Sequence, residues 1–251
     1  TVLSLHDRNE VNLPSKIVLD LGEKERGRIN AMPAYLGGKY DVCGIKWIAG
    51  FPGNPWKHGL PRASAFIILN DSWTGLPLVV MDGTYISAMR TGAVTGVGAK
   101  YLANKNSSVA GIIGCGVQAI TQIMALKEVL PSIQEVKAYD INNQAALQLK
   151  EKIEKEFSLS TQVVEKAQDA VEESDVIVTV TVADEPIVKE KWLKKGSFFA
   201  HVGSYQEEEE DVIIHSDKIV VDVWTEVLHR GTPLVAKLYN QGKIGDSNIY
   251  A

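Results

Sequence analysis

The sequence predicts an α/β protein: a parallel, helix-covered sheet in the second part of the chain, preceded by a smaller α+β region. Three observations carry this reading. From residue 107 onward, apolar runs alternate with amphipathic stretches, the rhythm of βαβ units. The strand-like runs there are continuously apolar and β-branched, as strands buried on both faces are. Before residue 104 the pattern is strand–turn–strand instead.

The elements follow in chain order. Lys16–Leu21 and Gly44–Ile48 read as short strands. Ser64–Leu69 is apolar and ends at Asn70-Asp71, Thr74-Gly75 makes a turn, and Leu78–Met81 resumes, so a hairpin is expected. Tyr85–Leu102 places Ala88, Ala93, Val94, Val97 and Tyr101 at helical spacing, in a Gly- and Ala-rich context that suits close packing. Ser108–Ile113 is a strand, Gly114–Gly116 a glycine loop, Val117–Leu130 a helix, and Glu135–Tyr139 a strand ending at Asp140. Asn143–Phe157 is a helix, Gln162–Val164 a short strand and Ala167–Glu173 a short helix. Val176–Val182, Ser197–Val202 and Lys218–Val223 are further apolar strands. The acidic run Glu207–Asp211 reads as a solvated loop. Two domains are expected, 1–104 and 105–235.

Composition narrows the partners. The net charge is −5 with no Lys/Arg-rich block, which argues against nucleic acid. No apolar run approaches the roughly 20 residues a membrane span needs, and no signal peptide is read at the start. The two cysteines, Cys43 and Cys115, are far apart and in no metal-ligand spacing. A cytoplasmic protein with reduced thiols and no metal is expected. The chain opens on Thr1 rather than Met, so missing terminal segments are expected as well.

The chemistry-bearing motif is Gly111-Ile112-Ile113-Gly114-Cys115-Gly116-Val117-Gln118-Ala119. It holds G-x-G-x-x-A directly after a strand and before a helix. Gly114 permits a tight turn, Gly116 lets backbone approach a pyrophosphate, and Ala119 lets helix pack on strand. The helix start over Val117 and Gln118 then presents N–H groups to phosphates. Asp140 closes the next strand about 20 residues later, where a carboxylate binds the adenosine ribose hydroxyls. The pattern reads as a Rossmann-type dinucleotide site. A carboxylate at Asp140 repels a 2′-phosphate, and Asn142 and Asn143 bring no Arg, so NAD is favoured over NADP. The alternative for Asp140 is a cap of the following helix. Thr179 and Thr181 lie in the strand that should end on the nicotinamide side; they either line the cofactor or are simply β-branched strand formers.

Beyond the loop, an ordered series of segments resembles the ornithine cyclodeaminase/μ-crystallin family. They are Arg28-Ile29-Asn30-Ala31-Met32-Pro33-Ala34, Gly44-Ile45-Lys46-Trp47, Phe51-Pro52-Gly53-Asn54-Pro55, Gly59-Leu60-Pro61, Ile68-Leu69-Asn70-Asp71, Met81-Asp82-Gly83 and Ala88-Met89-Arg90-Thr91-Gly92-Ala93. The resemblance implies hydride transfer at the Cα–N bond of an amino or imino acid. It also implies a homodimer whose first domain binds substrate and is completed by a C-terminal return, here 236–251. Arg90 is implied as the Arg that binds the substrate carboxylate, Thr91 as a neighbour of the cofactor phosphates, and Lys46 as a substrate-binding and proton-transfer residue. Burial beside other cations would tune that lysine. Lys16 stands where the family places a second Arg, and Arg28 and Arg62 are candidates to supplement it. An extra cation at Arg62 suits a substrate with an extra carboxylate. His58 and His201 are weaker acid–base candidates. One departure is clear: ornithine cyclodeaminases carry an Asp just after the Gly of His201-Val202-Gly203, where Tyr205 or Gln206 stands here. This departure counts against ring-closing deamination of ornithine, which stands as an alternative to a dehydrogenase or imine reductase beside oxidative release of 2,3-diaminopropionate from a glutamate adduct in siderophore synthesis and a catalytically silent NAD(P)H binder.

Overall fold

The computed structural model describes residues 2–22, 27–203 and 206–250. The chain forms two units, one ending at Ser87 and one beginning at Ala88.

The first unit is built on an antiparallel sheet in which β1 (Val11–Asn12), β3 (Arg28–Leu36), β4 (Val42–Gly50), β5 (Ala63–Asp71) and β6 (Pro77–Asp82) follow one another across the ladder. The expected hairpin is β5–β6. Strand β2 (Ile17–Asp20) also pairs with β3, and short helices α1 (Val2–Asp7) and α2 (Asn54–Lys57) complete the unit. The sequence reading did not anticipate β3, because Asn30 and Pro33 argue against a strand. The register explains how it forms. On one edge β2 covers residues 28–31 and β1 covers 35–36. Pro33 sits in the gap between them, where its missing N–H breaks no ladder.

Alternation then sorts the side chains. Arg28 and Met32 are four residues apart on β3, and Met32 opposes Lys46 on β4, so Arg28 and Lys46 share one face. Trp47 and Phe66, paired across β4 and β5, occupy the other face with Ile17, Leu19 and Val80, all exposed. Among the described residues of this unit, the buried hydrophobics are Leu5 and Ala65.

The second unit takes in most of α3 (Thr84–Leu102). Its five-stranded sheet runs β11 (Phe198–His201), β10 (Val176–Thr179), β7 (Val109–Ile113), β8 (Glu135–Tyr139), β9 (Ser160–Val163), every pair parallel. Counted from β7, this is the doubly wound order 3-2-1-4-5, which reverses direction between β7 and β10. Helices α4 (Val117–Val129), α5 (Asn143–Phe157) and α6 (Ala167–Val171) make the crossovers. The core joins Ile112, Ala119, Ile123, Leu126, Val136 and Val178.

The division between units falls inside α3 rather than after it, and the cause is its glycine stripe. A Cβ on Gly92 would lie 2.3 Å from the Thr121 carbonyl oxygen, and one on Gly96 would lie 3.1 Å from Ala125 Cβ. This helix therefore belongs by packing with α4, while Val94, Val97 and Tyr101 stay exposed. One further expectation is corrected. Lys218–Val223 does not join the main sheet; only Ile219–Val220 is a strand (β12), paired with β13 (Ile249–Tyr250). The residues after 235 pack within the second unit. Leu234, Leu238 and Ile244 pack with Ile213, Ile214, Ile219 and Ile249, around α7 (Glu210–Ile214) and α9 (Leu234–Asn240), with α8 (Trp224–Arg230) between them in the chain. Among the described residues no helix is long and apolar enough to cross a membrane.

Candidate functional site

The glycine turn leaves the carboxyl end of β7. Gly114 has φ +95°, and a Cβ there would come within 2.9 Å of the Val180 carbonyl oxygen, so this turn demands glycine. Gly116 is different: it has an ordinary φ, caps α4 with no side chain, and faces open space. The first N–H groups of α4, at Val117 and Gln118, have no intrahelical acceptor, and Val117 is 75% exposed. Ala119, in the first turn of α4, is fully buried. Gly111 has a packing role that the motif does not announce. A Cβ on it would lie 1.9 Å from the Ala170 carbonyl oxygen of α6.

Asp140 is tied to this turn. Its Oδ2 accepts from the Cys115 N–H at 2.7 Å and its Oδ1 from the Asn142 N–H at 2.8 Å. The cap of α5 is Asn142, whose side chain accepts from the Gln144 N–H at 3.1 Å, so capping is not the role of Asp140. Each carboxylate oxygen keeps a further lone-pair site for an incoming hydroxyl. Cys115 presents only backbone to the turn. Its buried Sγ lies 3.5 Å from the Tyr139 carbonyl. Burial, helped by the Asp140 charge, pushes the thiol up to about 12, so it stays protonated and is no nucleophile. Ile141, next to Asp140, is 96% exposed, a misfit for so apolar a residue that no motif marks.

The end of β10 departs from expectation. Thr179 is fully buried at the end of β10, between β7 and β11, and does not line an open surface. The strand stops there, before Thr181, because Thr181 turns away from the ladder. Its N–H and Oγ1 both donate to Glu207 Oε1, each at 2.5 Å. Glu207 and Glu208, expected in a solvated loop, are buried. His201, at the end of β11, faces both: Nδ1 is 2.8 Å from Glu208 Oε2 and Nε2 is 3.4 Å from Glu207 Oε2.

The cations are distributed as follows. Arg90 lies on α3 and is exposed. Desolvation by neighbouring atoms nevertheless holds its guanidinium below its ordinary value, with the charge of Asp222 opposing; it remains a cation at any working pH. Thr91 is half-buried. Lys46 is half-buried in the middle of β4, its Nζ donating to Ser87 Oγ at 3.3 Å. Arg28 and Lys16 are half-buried and Arg62 exposed. His58 is exposed and ends α2. Tyr205 lies outside the described residues, and Gln206 is half-buried.

Gly114, Gly116, Ala119, Asp140 and Thr181 thus converge at the carboxyl edge of the parallel sheet, at its switch point. The fold and this edge define a Rossmann-type dinucleotide-binding α/β protein. More particularly, the chain belongs to the ornithine cyclodeaminase/mu-crystallin family, whose model matches residues 3–247. It is 42% identical to the alanine dehydrogenase of Archaeoglobus fulgidus, over 98% of this chain and 74% of that protein. It is 35% identical to the N-((2S)-2-amino-2-carboxyethyl)-L-glutamate dehydrogenase of Staphylococcus aureus, over 99% of this chain and 75% of that protein. Among solved structures, it resembles the Thermococcus litoralis Δ1-pyrroline-2-carboxylate reductase in complex with NADH and L-proline, with a TM-score of 0.90, 37% identity, and coverage of 98% of this chain and 76% of that one.

Proposed function

We propose that this protein is an NAD-dependent oxidoreductase acting at the Cα–N bond of a small amino or imino acid. The observation that carries the reading is the Asp140 carboxylate fastened to the Cys115 amide beside an open Gly116. That arrangement suits two ribose hydroxyls and a pyrophosphate on the start of α4, and an anionic Asp140 favours NAD over NADP. The nicotinamide, when bound, supplies the hydride acceptor or donor. The chain's own residues bind, orient and move protons. Arg90 holds the substrate carboxylate with its planar fork. Thr91 serves the phosphates. Lys46 orients the substrate and exchanges a proton at its nitrogen, with Lys16, Arg28 and Arg62 as supplementary cations. Fixing the carboxylate aligns Cα for transfer, a contribution of proximity and orientation. In the oxidative direction, the amino acid gives a hydride to NAD and a proton to solvent, leaving an imine.

A second reading has a specific support. The 35% identity to the glutamate-adduct dehydrogenase and the extra cation Arg62 favour a substrate with more than one carboxylate. Ring-closing deamination of ornithine is disfavoured by the missing Asp. A homodimer in the cytoplasm is part of the proposal, supported by the exposed apolar face of the first sheet.

The test is absorbance at 340 nm with NAD against alanine, proline, ornithine, lysine and a glutamate–diaminopropionate adduct, and with NADH against cyclic imines and 2-oxo acids plus ammonia. Ammonia is measured in parallel. One substrate should give stoichiometric NADH or NADH loss. Arg90→Ala should lower turnover at least 100-fold with little change in NADH affinity, the cost of a charged bidentate contact. Retained turnover would remove Arg90 from the site, and a chain that binds NADH but turns over nothing would be a silent binder.

A further inference from the structure

The cluster of His201, Glu207 and Glu208 is not used by the mechanism above. No group of three or more His, Cys, Asp or Glu side chains among the described residues is arranged to hold a metal, so its role lies elsewhere. Two buried carboxylates are costly unless paired, and here one imidazole faces both. Glu207 is also tied by its main chain. Its carbonyl accepts from the Ile187 and Val188 N–H groups at 2.9 and 3.0 Å, while its side chain takes the N–H and hydroxyl of Thr181. One residue therefore holds both ends of the segment 181–188 that leaves β10. Thr181 Oγ1 in turn accepts from the Ala183 N–H at 3.1 Å. Gly203 makes room for the carboxylate, since a Cβ there would lie 2.5 Å from Glu207 Oε2.

The topology says what this segment serves. In the sheet order, β8 with Asp140 lies on one side of β7 and β10 lies on the other. If Asp140 takes the adenosine half and the start of α4 the pyrophosphate, the remaining half of the dinucleotide extends over the end of β10. We propose that Glu207, stabilised by His201, is a positioning residue for the nicotinamide half of the cofactor, acting through Thr181. The inference rests on the dinucleotide reading above.

The experiment compares NADH with ADP-ribose, which has the same adenosine and pyrophosphate but no nicotinamide, by calorimetric titration of the wild-type chain and of Glu207→Gln. Gln keeps the shape and one acceptor but loses the charge. The expected result is a loss of about tenfold or more in NADH affinity, the scale of a hydrogen bond to a charged group, with ADP-ribose affinity unchanged. Thr181→Val, which replaces the hydroxyl with a methyl of similar size, should shift the same ratio in the same direction and carries the test if Glu207→Gln does not fold. Equal losses for both ligands would make Glu207 merely structural, and unchanged affinities would make it irrelevant; either overturns the proposal. A wild-type chain that binds neither ligand would refute the dinucleotide reading itself, an outcome distinct from a wild type that binds both and a variant that fails to separate them.

Discussion

Asp140 shapes the turn before it meets any ligand. Its two oxygens already accept the Cys115 and Asn142 amides, so the carboxylate is oriented in advance, which lowers the entropy of ribose binding. Asp140→Ala should therefore act twice. It should weaken NAD binding and narrow the preference over NADP, and it should destabilise the unit by about 1–3 kcal/mol through the orphaned amides. Titration with both cofactors and a thermal melt read the two effects separately. An unchanged NAD/NADP ratio would remove Asp140 from the ribose site. Arg90 belongs to the same scale, but neither its exposure nor its charge distinguishes it from a surface arginine; the resemblance alone selects it.

At the scale of elements, the glycines of β7 and α4 separate packing from binding. Gly111→Ala places a methyl against the Ala170 carbonyl and should cost about 1–3 kcal/mol or more, lowering the melting temperature. Gly116→Ala has room and an ordinary φ, so the fold should melt nearly unchanged while NADH affinity falls, because the methyl enters the space left for phosphate. A melt and a fluorescence titration of both variants check this. The amino ends of β7 and β10 are joined by Asp175. Although burial raises its carboxyl, hydrogen bonds from Lys194 and from the Ser108 and Val109 amides hold it down to about 2. A carboxyl lowered in the folded state stabilises above its unfolded pKa of about 3.9 and loses that contribution as pH falls from about 4 through 2. The contribution is about 2 kcal/mol. Asp175→Asn should flatten the acid limb of stability against pH in this window, measured by urea unfolding at pH 2–7.

At the scale of the whole molecule, the two units differ in how they bury apolar surface. The second covers its sheet with helices and buries two apolar clusters, one gathered by Ile112, Val136 and Val178 and the other by Ile113 and Ile177. The first leaves Trp47 at 46% and Phe66 at 58% exposure on one sheet face, an apolar patch of the kind that marks an interface. If a second copy covers it, as proposed, Phe66→Glu should convert a dimer into a monomer in light scattering while the second unit retains NADH affinity. A wild-type monomer would remove the dimer from the proposal.

Local pattern made much of the second unit legible. Apolar runs, a G-x-G-x-x-A turn and an acid at the next strand end are dictated by adjacent residues and by backbone sterics, so β7, α4, β8 and Asp140 could be read directly. The ends of elements were less legible where long-range partners decide them. Pro33 fits β3 because two short strands leave a gap on its edge. β10 stops at Thr179 because Glu207, distant in sequence, takes the Thr181 amide. Lys218–Val223 and the residues after 235 have ordinary apolar patterns, and only packing chose their neighbours. The acidic run looked solvated because composition records charge but not what lies opposite it. The amino-acid sequence by itself determined the class of fold and the phosphate-binding turn, since those rest on local conformation. Tertiary structure alone decided that Glu207 and Glu208 are buried around His201, because a polar side-chain cluster is a property of residues brought together by folding.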